Sequence, residues 1–190
     1  MALLILDRDG VINQDSDQYI RNVDQWQPIP GSIEAIARAS RAGFQVAVAT
    51  NQSGLSRGYF TLDDLEAIHD RLRLLVEQAG GELAGIFYCP HLPDEQCDCR
   101  KPAVGLLEAI ERELGETVVG SWFIGDSLKD LQAARAAHCL PVLVRTGKGE
   151  STLTALQQPA VAVANPLDIA VYDDLASATN ALLETIDAQP

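Results

Sequence analysis

Positive charge is scarce in this sequence of 190 residues. It contains 14 Lys and Arg against 27 Asp and Glu, which gives a formal net charge of −13 and a pI of about 4.5. An acidic surface repels polyanions, so this balance argues against nucleic acid as a partner. A phosphorylated ligand would need its own local Lys and Arg side chains.

Long apolar runs are also missing. The apolar run near the start of the chain, residues 2–6, is too short for a signal peptide, and no stretch approaches the length of a membrane span. We therefore expect a cytoplasmic protein without a membrane partner.

Cysteine is rare, and its placement is uneven. Three of the four cysteines, Cys89, Cys97 and Cys99, lie in one short segment. Disulfide frameworks are typical of small secreted chains, whereas clustered cysteines in a reducing compartment are typical of a metal site. Cys139 stands apart, directly before an apolar run, and we expect it to be buried.

Short apolar runs alternate with helical patterns along the chain. Each run is apolar on both faces, which is typical of parallel strands covered by helices on both sides. The predicted strands are 3–6, 46–49, 85–88, 122–124, 141–144 and 161–164, and the predicted helices are 33–42, 61–78, 104–114, 128–137 and 174–186. This alternation predicts an α/β fold, an open parallel sheet in a single domain over residues 1–190.

Polar side chains follow these runs where the predicted strands end, and such ends share one edge of a parallel sheet. The set comprises Asp7, Asp9, Thr50, Asn51, Gln52, Ser53, Lys101 and Asp126. Helix capping explains a polar residue at any one strand end. It does not explain three acids at the ends of two strands, because they repel one another. Mg²⁺, which prefers oxygen ligands, would resolve that repulsion.

The same set of groups is suited to phosphate ester hydrolysis. One Asp carboxylate can attack phosphorus, and a second acid two residues later can protonate the leaving oxygen and then activate water. Mg²⁺ and a Lys neutralise the phosphoryl oxygens, and a Thr hydroxyl orients them. Among phosphatases, a DNA 3′-phosphatase is disfavoured by the acidic balance.

Four segments, "DRDGVIN", "VATNQSG", "CRKP" and "GDSLKD", resemble the four ordered motifs of the haloacid dehalogenase (HAD) superfamily of phosphatases. The resemblance spans residues 5–130. It implies that Asp7 is the nucleophile and Asp9 the general acid/base. It also implies that Thr50 and Asn51 hold the phosphoryl group, with Lys101 as the countercharge.

The resemblance further implies a magnesium site and a simple architecture. Mg²⁺ would be bound by Asp7, the backbone carbonyl of Asp9, and Asp126. For Asp130 two roles stay open, a partner behind the metal ligands or an acid at a helix N-terminus. Cap domains of this superfamily are inserted after the first motif or between the second and third. Residues 14–45 and 55–84 are long enough for only a loop and a helix each, so we expect a minimal cap or none.

The cysteine-rich segment "YCPHLPDEQCDCRKP" contains two ligand pairs, Cys89-x-His91 and Cys97-x-Cys99. Two such pairs on tight turns can surround one tetrahedral Zn²⁺, and four protein ligands make the site structural rather than catalytic. Unliganded thiols are the alternative. Arg100 follows the last ligand directly, so zinc would hold the loop (about 89–99) that presents cations to phosphate.

This zinc loop inside HAD motifs resembles the D-glycero-D-manno-heptose 1,7-bisphosphate 7-phosphatases, enzymes of lipopolysaccharide precursor synthesis. The resemblance implies hydrolysis of the C7 phosphate through an aspartyl-phosphate. The related histidinol-phosphate phosphatases share both features, so histidinol phosphate is the alternative substrate. The implied substrate contacts are Asp15 and Tyr19 at the sugar, Gln52, Ser53 and Arg57, and Arg100 at a second phosphate.

Other residues carry weaker signals. A zinc-stabilised binding module on the same scaffold is a hypothesis of another class, but it has no reason to keep the full catalytic set. We expect His69 and His138 to be surface or capping residues. Lys148 in "VRTGKGE" either adds a cation near the site or lies in a solvated loop, and we favour the loop. The tail after residue 150 predicts one helix and a closing strand. An enzyme without a lid is expected to be a monomer.

Overall fold

One parallel sheet of six strands forms the centre of the described part of the chain. The structure, a computed structural model, describes residues 2–158 and 169–187. Its strands are Leu3–Leu6 (β1), Gln45–Asn51 (β2), Gly85–Cys89 (β3), Trp122–Gly125 (β4), Leu140–Val144 (β5) and Ala170–Tyr172 (β6). Their order in the sheet is β3-β2-β1-β4-β5-β6, and every pair is parallel. The order reverses between β1 and β4, where sheets of this kind bind ligands.

Six helices within the described residues cover the two faces of this sheet. They are Ser32–Arg41 (α1), Leu62–Gln78 (α2), Gly105–Leu114 (α3), Leu128–Ala136 (α4), Gly149–Leu156 (α5) and Leu175–Asp187 (α6). Alternate residues of β1 point to opposite faces. Leu4 and Leu6 pack in the cluster that includes α1, α2 and α6, and Leu3 and Ile5 pack in the cluster that includes α3 and α4. The central strand is therefore buried on both sides, which explains its continuous apolar run.

The predicted helix start at Thr61 is confirmed in detail. The Thr61 hydroxyl accepts a hydrogen bond from the Asp64 N–H at 3.1 Å, and the Asp64 carboxylate accepts one from the Thr61 N–H at 2.8 Å. This reciprocal capping box satisfies two of the donors that a helix N-terminus leaves free. The expectation of a minimal cap is confirmed as well, since residues 14–45 and 55–84 each add one loop and one helix to the sheet.

The C-terminal third departs from the prediction. The predicted strand 161–164 lies outside the described residues, and the described sixth strand is Ala170–Tyr172. Helix α5 was not predicted, because its sequence, "GESTLTAL", is rich in residues of low helix propensity. Its Leu156 packs against Leu131 and Leu143, so tertiary contacts outweigh propensity there. Within the described ranges, no helix is both long and apolar enough to cross a membrane.

Candidate active site and zinc loop

The carboxyl ends of the central strands open into a cavity of about 490 Å³. That volume lies within the range of small-molecule sites. Most of the predicted site residues line it: Asp7, Asp9, Asp15, Tyr19, Thr50, Asn51, Gln52, Ser53, Arg100, Lys101, Asp126 and Asp130. Arg57 is exposed and does not line the cavity, so its substrate contact stays a prediction.

Asp7 lies at the end of β1 and shares a buried lysine with Asp130. The Lys101 ammonium, 2 % exposed, lies 2.9 Å from Asp7 Oδ1 and 2.6 Å from Asp130 Oδ1, and it donates to the Ala49 carbonyl at 2.7 Å. Burial, followed by the charge of Asp130, raises the pKa of Asp7 to about 7 although Lys101 lowers it. Lys101 remains charged, because the two carboxylates raise its pKa despite its burial.

Asp130 plays both of the roles that the sequence left open. Its Oδ2 accepts hydrogen bonds from the Ser127 N–H at 3.0 Å and the Ser127 hydroxyl at 2.6 Å, which caps α4. Its Oδ1 pairs with the Lys101 ammonium, which also contacts Asp7. One carboxylate therefore fixes both the start of a helix and the position of the Lys101 ammonium.

Asp9 is held in one orientation by three side chains. Arg8 donates to both of its oxygens at 3.0–3.2 Å, Asn13 donates to Oδ1 at 2.9 Å, and Gln52 donates to Oδ2 at 2.8 Å. Burial acts to raise the pKa of Asp9, but the Arg8 charge and these hydrogen bonds together lower it. The structure thus presents Asp9 as a carboxylate, ready to accept a proton.

The end of β2 organises the neighbours of these acids. The Gln52 amide also donates to the Thr50 hydroxyl oxygen at 2.9 Å. Among the residues that the structure describes, the Thr50 hydroxyl proton has no recorded acceptor, so it can donate to a ligand. Asn51 uses its amide on the backbone of Lys101, donating at 3.1 Å and accepting at 3.0 Å. Its side chain therefore positions the lysine, in addition to lining the cavity.

Asp126 lies at the end of β4 between two glycines. A Cβ atom on Gly10 would lie 2.0 Å from Asp126 Oδ2, and one on Gly147 would lie 2.1 Å from it, so neither site accepts a side chain. The Lys148 N–H donates to the same oxygen at 2.7 Å. Burial, followed by the charges of Asp7 and Asp130, raises the pKa of Asp126 to about 8.

These acids fit a divalent cation. Oxygen atoms of Asp7, Asp126 and Asp130 all lie within 4.8 Å of one another. With all three carboxylates ionised, the ammonium of Lys101 leaves a net charge of −2, which one Mg²⁺ would neutralise. Carboxylate oxygen is the donor type that Mg²⁺ prefers. Both oxygens of Asp130 are engaged, Oδ1 by Lys101 and Oδ2 by Ser127, whereas Lys101 and the Arg8 N–H both contact Oδ1 of Asp7. The predicted ligands, Asp7, Asp126 and the backbone carbonyl of Asp9, therefore fit this site better than Asp130 does.

The outer wall of the cavity comes from two loops and from α5. Lys148 fits both of the roles that the sequence left open, because its side chain is 56 % exposed in a turn and also lines the cavity. This residue precedes α5, and its ammonium lies 3.1 Å from Asp15 Oδ2 across the cavity mouth. Tyr19 adopts a positive φ of 65°, and its ring packs 5.1 Å from the ring of Tyr59. These contacts tie the loop after β1 to the loop after β2.

The four predicted zinc ligands converge. The Sγ atoms of Cys89 and Cys97 lie 3.6 Å apart, as do those of Cys97 and Cys99, and His91 Nδ1 lies 3.5 Å and 3.3 Å from the Sγ atoms of Cys89 and Cys99. Tetrahedral zinc with Zn–S bonds of about 2.3 Å separates two sulfurs by about 3.8 Å. The cysteines are unbridged, so this cluster can hold Zn²⁺. The Arg100 guanidinium donates to the His91 carbonyl at 3.2 Å, which connects the cluster to the cavity.

Sequence reasoning missed several residues that shape the site. Arg8 is fully buried and lies against His69, which is 1 % exposed, so the expectation of a surface or capping histidine at position 69 is wrong. His138 is exposed at the end of α4, and Cys139 is buried, both as expected. The one signal for Arg8 was its place between the two acids of "DRDG"; nothing in the local sequence marks His69 or Gly147.

A profile of HAD-hydrolase-like proteins matches residues 98–178. A Pseudomonas aeruginosa protein named D-glycero-β-D-manno-heptose-1,7-bisphosphate 7-phosphatase is 57 % identical over 183 residues, 96 % of this chain and 98 % of that protein. The Bordetella bronchiseptica protein of the same name is 46 % identical over 184 residues, 97 % of this chain and 99 % of that protein.

A solved structure agrees with both the sequence relatives and the site. The crystal structure of D,D-heptose 1,7-bisphosphate phosphatase from B. bronchiseptica, complexed with magnesium and phosphate, matches with a TM-score of 0.90 at 46 % identity. The match covers 97 % of this chain and 99 % of that one. The predicted HAD-like fold is thereby confirmed.

Proposed function

This chain belongs to the family of D-glycero-β-D-manno-heptose-1,7-bisphosphate 7-phosphatases, and we propose that it hydrolyses the C7 phosphate of that bisphosphate in a magnesium-dependent reaction. The observation that carries the proposal is the buried group of Asp7, Asp126 and Lys101 at the switch point of the sheet. Mg²⁺, when bound there, would neutralise the repulsion between the acids and the charge on the phosphoryl oxygens.

The first step forms an aspartyl-phosphate. An oxygen of Asp7 bonds to phosphorus as the bond from phosphorus to the sugar oxygen breaks, and Asp9 gives its proton to that oxygen. The neighbouring Arg8 favours the carboxylate form of Asp9, but an arriving phosphate dianion raises the pKa of a nearby acid and so allows the protonated form. Lys101 and the free Thr50 hydroxyl proton face the transferred group.

The second step returns the enzyme to its starting state. Asp9, now a carboxylate, takes a proton from water as the water oxygen bonds to phosphorus and the bond to Asp7 breaks. The lowered pKa of Asp9 suits this step, because it keeps Asp9 in the carboxylate form, which is the form that accepts the proton.

A group of cations at the rim of the cavity supports a substrate with two phosphates. Arg100, Lys129 and Lys148 all line the cavity of a chain whose net charge is −13. Partial burial, followed by the charges of Arg100 and Lys148, lowers the pKa of Lys129. Lys129 makes no ion pair within the described ranges. A second phosphate bound there would relieve this repulsion and would leave the C7 phosphate facing Asp7.

The test is phosphate release by the purified protein with Mg²⁺. The substrates are the β and α anomers of the bisphosphate, the heptose 7-monophosphate and histidinol phosphate, compared by kcat/KM. We expect the β bisphosphate to be preferred, and Asp7→Asn to abolish turnover in a folded protein. Lys129→Met should lower kcat/KM for the bisphosphate roughly tenfold and leave the monophosphate nearly unchanged. A preference for histidinol phosphate, or turnover by Asp7→Asn, would contradict the proposal.

A further inference from the structure

A buried arginine lies directly behind the general acid/base. The Arg8 side chain is about 1 % exposed and uses Nε and Nη2 on the two oxygens of Asp9. Its other amino group, Nη1, lies 3.4 Å from His69 Nε2 on α2. The guanidinium is therefore held on one side by the acid that contacts substrate and on the other by a histidine from a different element.

The chemistry of this contact assigns its hydrogen-bond direction. A guanidinium N–H only donates, so His69 Nε2 is the acceptor. Burial, followed by the charges of Arg8 and Arg73, lowers the pKa of His69 to about 3, and the ring is neutral. The ring proton is then on Nδ1, which faces the Glu66 carboxylate at 3.9 Å, a distance too long for a hydrogen bond. The ring also packs at 5.7 Å from the ring of Tyr88.

We propose that His69 is a positioning residue for the phosphatase reaction, which acts through Arg8 to hold Asp9 in the orientation that protonates the leaving sugar oxygen. Without an acceptor at position 69, Nη1 of a fully buried cation loses its partner in a dry environment, which is unfavourable. The guanidinium then turns toward other acceptors, and its bonds to Asp9 weaken. The inference rests on the proposed function, since it takes Asp9 as the general acid.

The chemistry of the leaving group separates this role from a merely structural one. A sugar alkoxide needs a proton to leave, whereas p-nitrophenolate leaves without one. The ratio kcat/KM covers the steps up to release of the leaving group. Loss of Asp9 orientation should therefore lower kcat/KM for the sugar phosphate and spare p-nitrophenyl phosphate. A general loss of structure would lower both.

The experiment compares two substitutions at position 69 on both substrates. His69→Leu removes the acceptor, and we expect kcat/KM for the heptose bisphosphate to fall roughly 10- to 100-fold, with a change of less than about threefold for p-nitrophenyl phosphate. His69→Gln places an amide oxygen near the position of Nε2 and should restore most of the loss. If His69→Leu does not fold, His69→Asn serves instead. The Asn side chain is one methylene shorter than that of Gln, so its amide does not reach Arg8.

A matched control comes from the same helix. Val76 on α2 is fully buried in the core and lies seven residues, about two helical turns, beyond His69. Val76→Ala should lower the melting temperature and leave the ratio of the two kcat/KM values unchanged. Equal losses on both substrates in His69→Leu, or no rescue by Gln, would overturn the proposal.

The variant Asp9→Asn distinguishes failure of the proposal about His69 from failure of the proposed function. If that variant loses sugar phosphate turnover selectively while His69→Leu does not, Asp9 is the acid and the role of His69 is refuted. If Asp9→Asn loses both substrates equally or neither, the assignment of Asp9 is wrong and the inference about His69 falls with it.

Discussion

Asp126 lowers the stability of the magnesium-free protein, and its replacement should raise that stability. Its pKa is about 8 in the folded chain, against an ordinary value of 3.8. Between these values the folded chain keeps a proton that the unfolded chain has released. The stability from this group is therefore fully present below about pH 4 and is lost as the pH rises to about 8.

The magnitude follows from the same shift. A pH of 7 lies about 3 units above the ordinary pKa of an Asp side chain. At about 1.4 kcal/mol per unit, the folding stability that Asp126 removes at this pH is at most about 4 kcal/mol. An Asn amide oxygen can still accept the Lys148 N–H that now donates to Asp126 at 2.7 Å. We expect Asp126→Asn to add about 2–4 kcal/mol to the free energy of unfolding at pH 7 and about 1–2 kcal/mol at pH 5.

Urea unfolding followed by tryptophan fluorescence measures this difference between pH 5 and pH 8. Magnesium is removed by gel filtration, because a chelator would also strip zinc from the cysteine cluster. Added Mg²⁺ should stabilise the wild type by mass action and leave the variant unchanged. Asp130→Asn is the matched control and should destabilise, since it removes the ion pair with Lys101; if its amide oxygen keeps the Ser127 hydrogen bonds, its NH₂ group faces the buried ammonium. A magnesium-free Asp126→Asn protein less stable than wild type at pH 8 would refute the reasoning.

Three further changes test the other parts of the site. Lys101→Met leaves two buried carboxylates uncompensated and should cost about 3–5 kcal/mol at pH 7 by urea unfolding, with phosphatase activity lost; an unchanged midpoint would contradict this. Gly147→Ala should weaken Mg²⁺ binding about tenfold by calorimetry, because the methyl group displaces the adjacent carboxylate. Gly43→Ala should not, because Gly43 also has a positive φ (93°, against 58° at Gly147) but a Cβ there would lie in open space. Cys97→Ser should release zinc, measured by elemental analysis, and raise KM; Cys139→Ser should do neither, and zinc retained in Cys97→Ser would contradict the assignment.

The fold class was predictable because the sheet is buried on both faces. The four apolar residues Leu3–Leu6 are enough to predict a strand, because parallel strands between two helix layers are apolar throughout. Helix α5 and strand β6 were not predictable in this way. Their short, polar or ambiguous sequences are ordered by contacts to Leu131 and Leu143, which lie elsewhere in the chain. The single domain, the monomeric state and the cytoplasmic location stay predictions.

The chemistry of the site was present in the sequence, and its geometry was not. Asp7, Asp9, Lys101 and Asp126 are marked locally, because each follows a strand and the ends of parallel strands meet at one edge. No local sequence feature places His69 or Lys148 at its position in the site. Helix α2 brings His69 beneath Arg8, and the turn before α5 brings Lys148 opposite Asp15. The sequence by itself determined which chemical groups meet at the site and predicted which of them react. Tertiary structure alone decided how their charges and orientations are set, because burial and through-space contacts depend on segments distant along the chain.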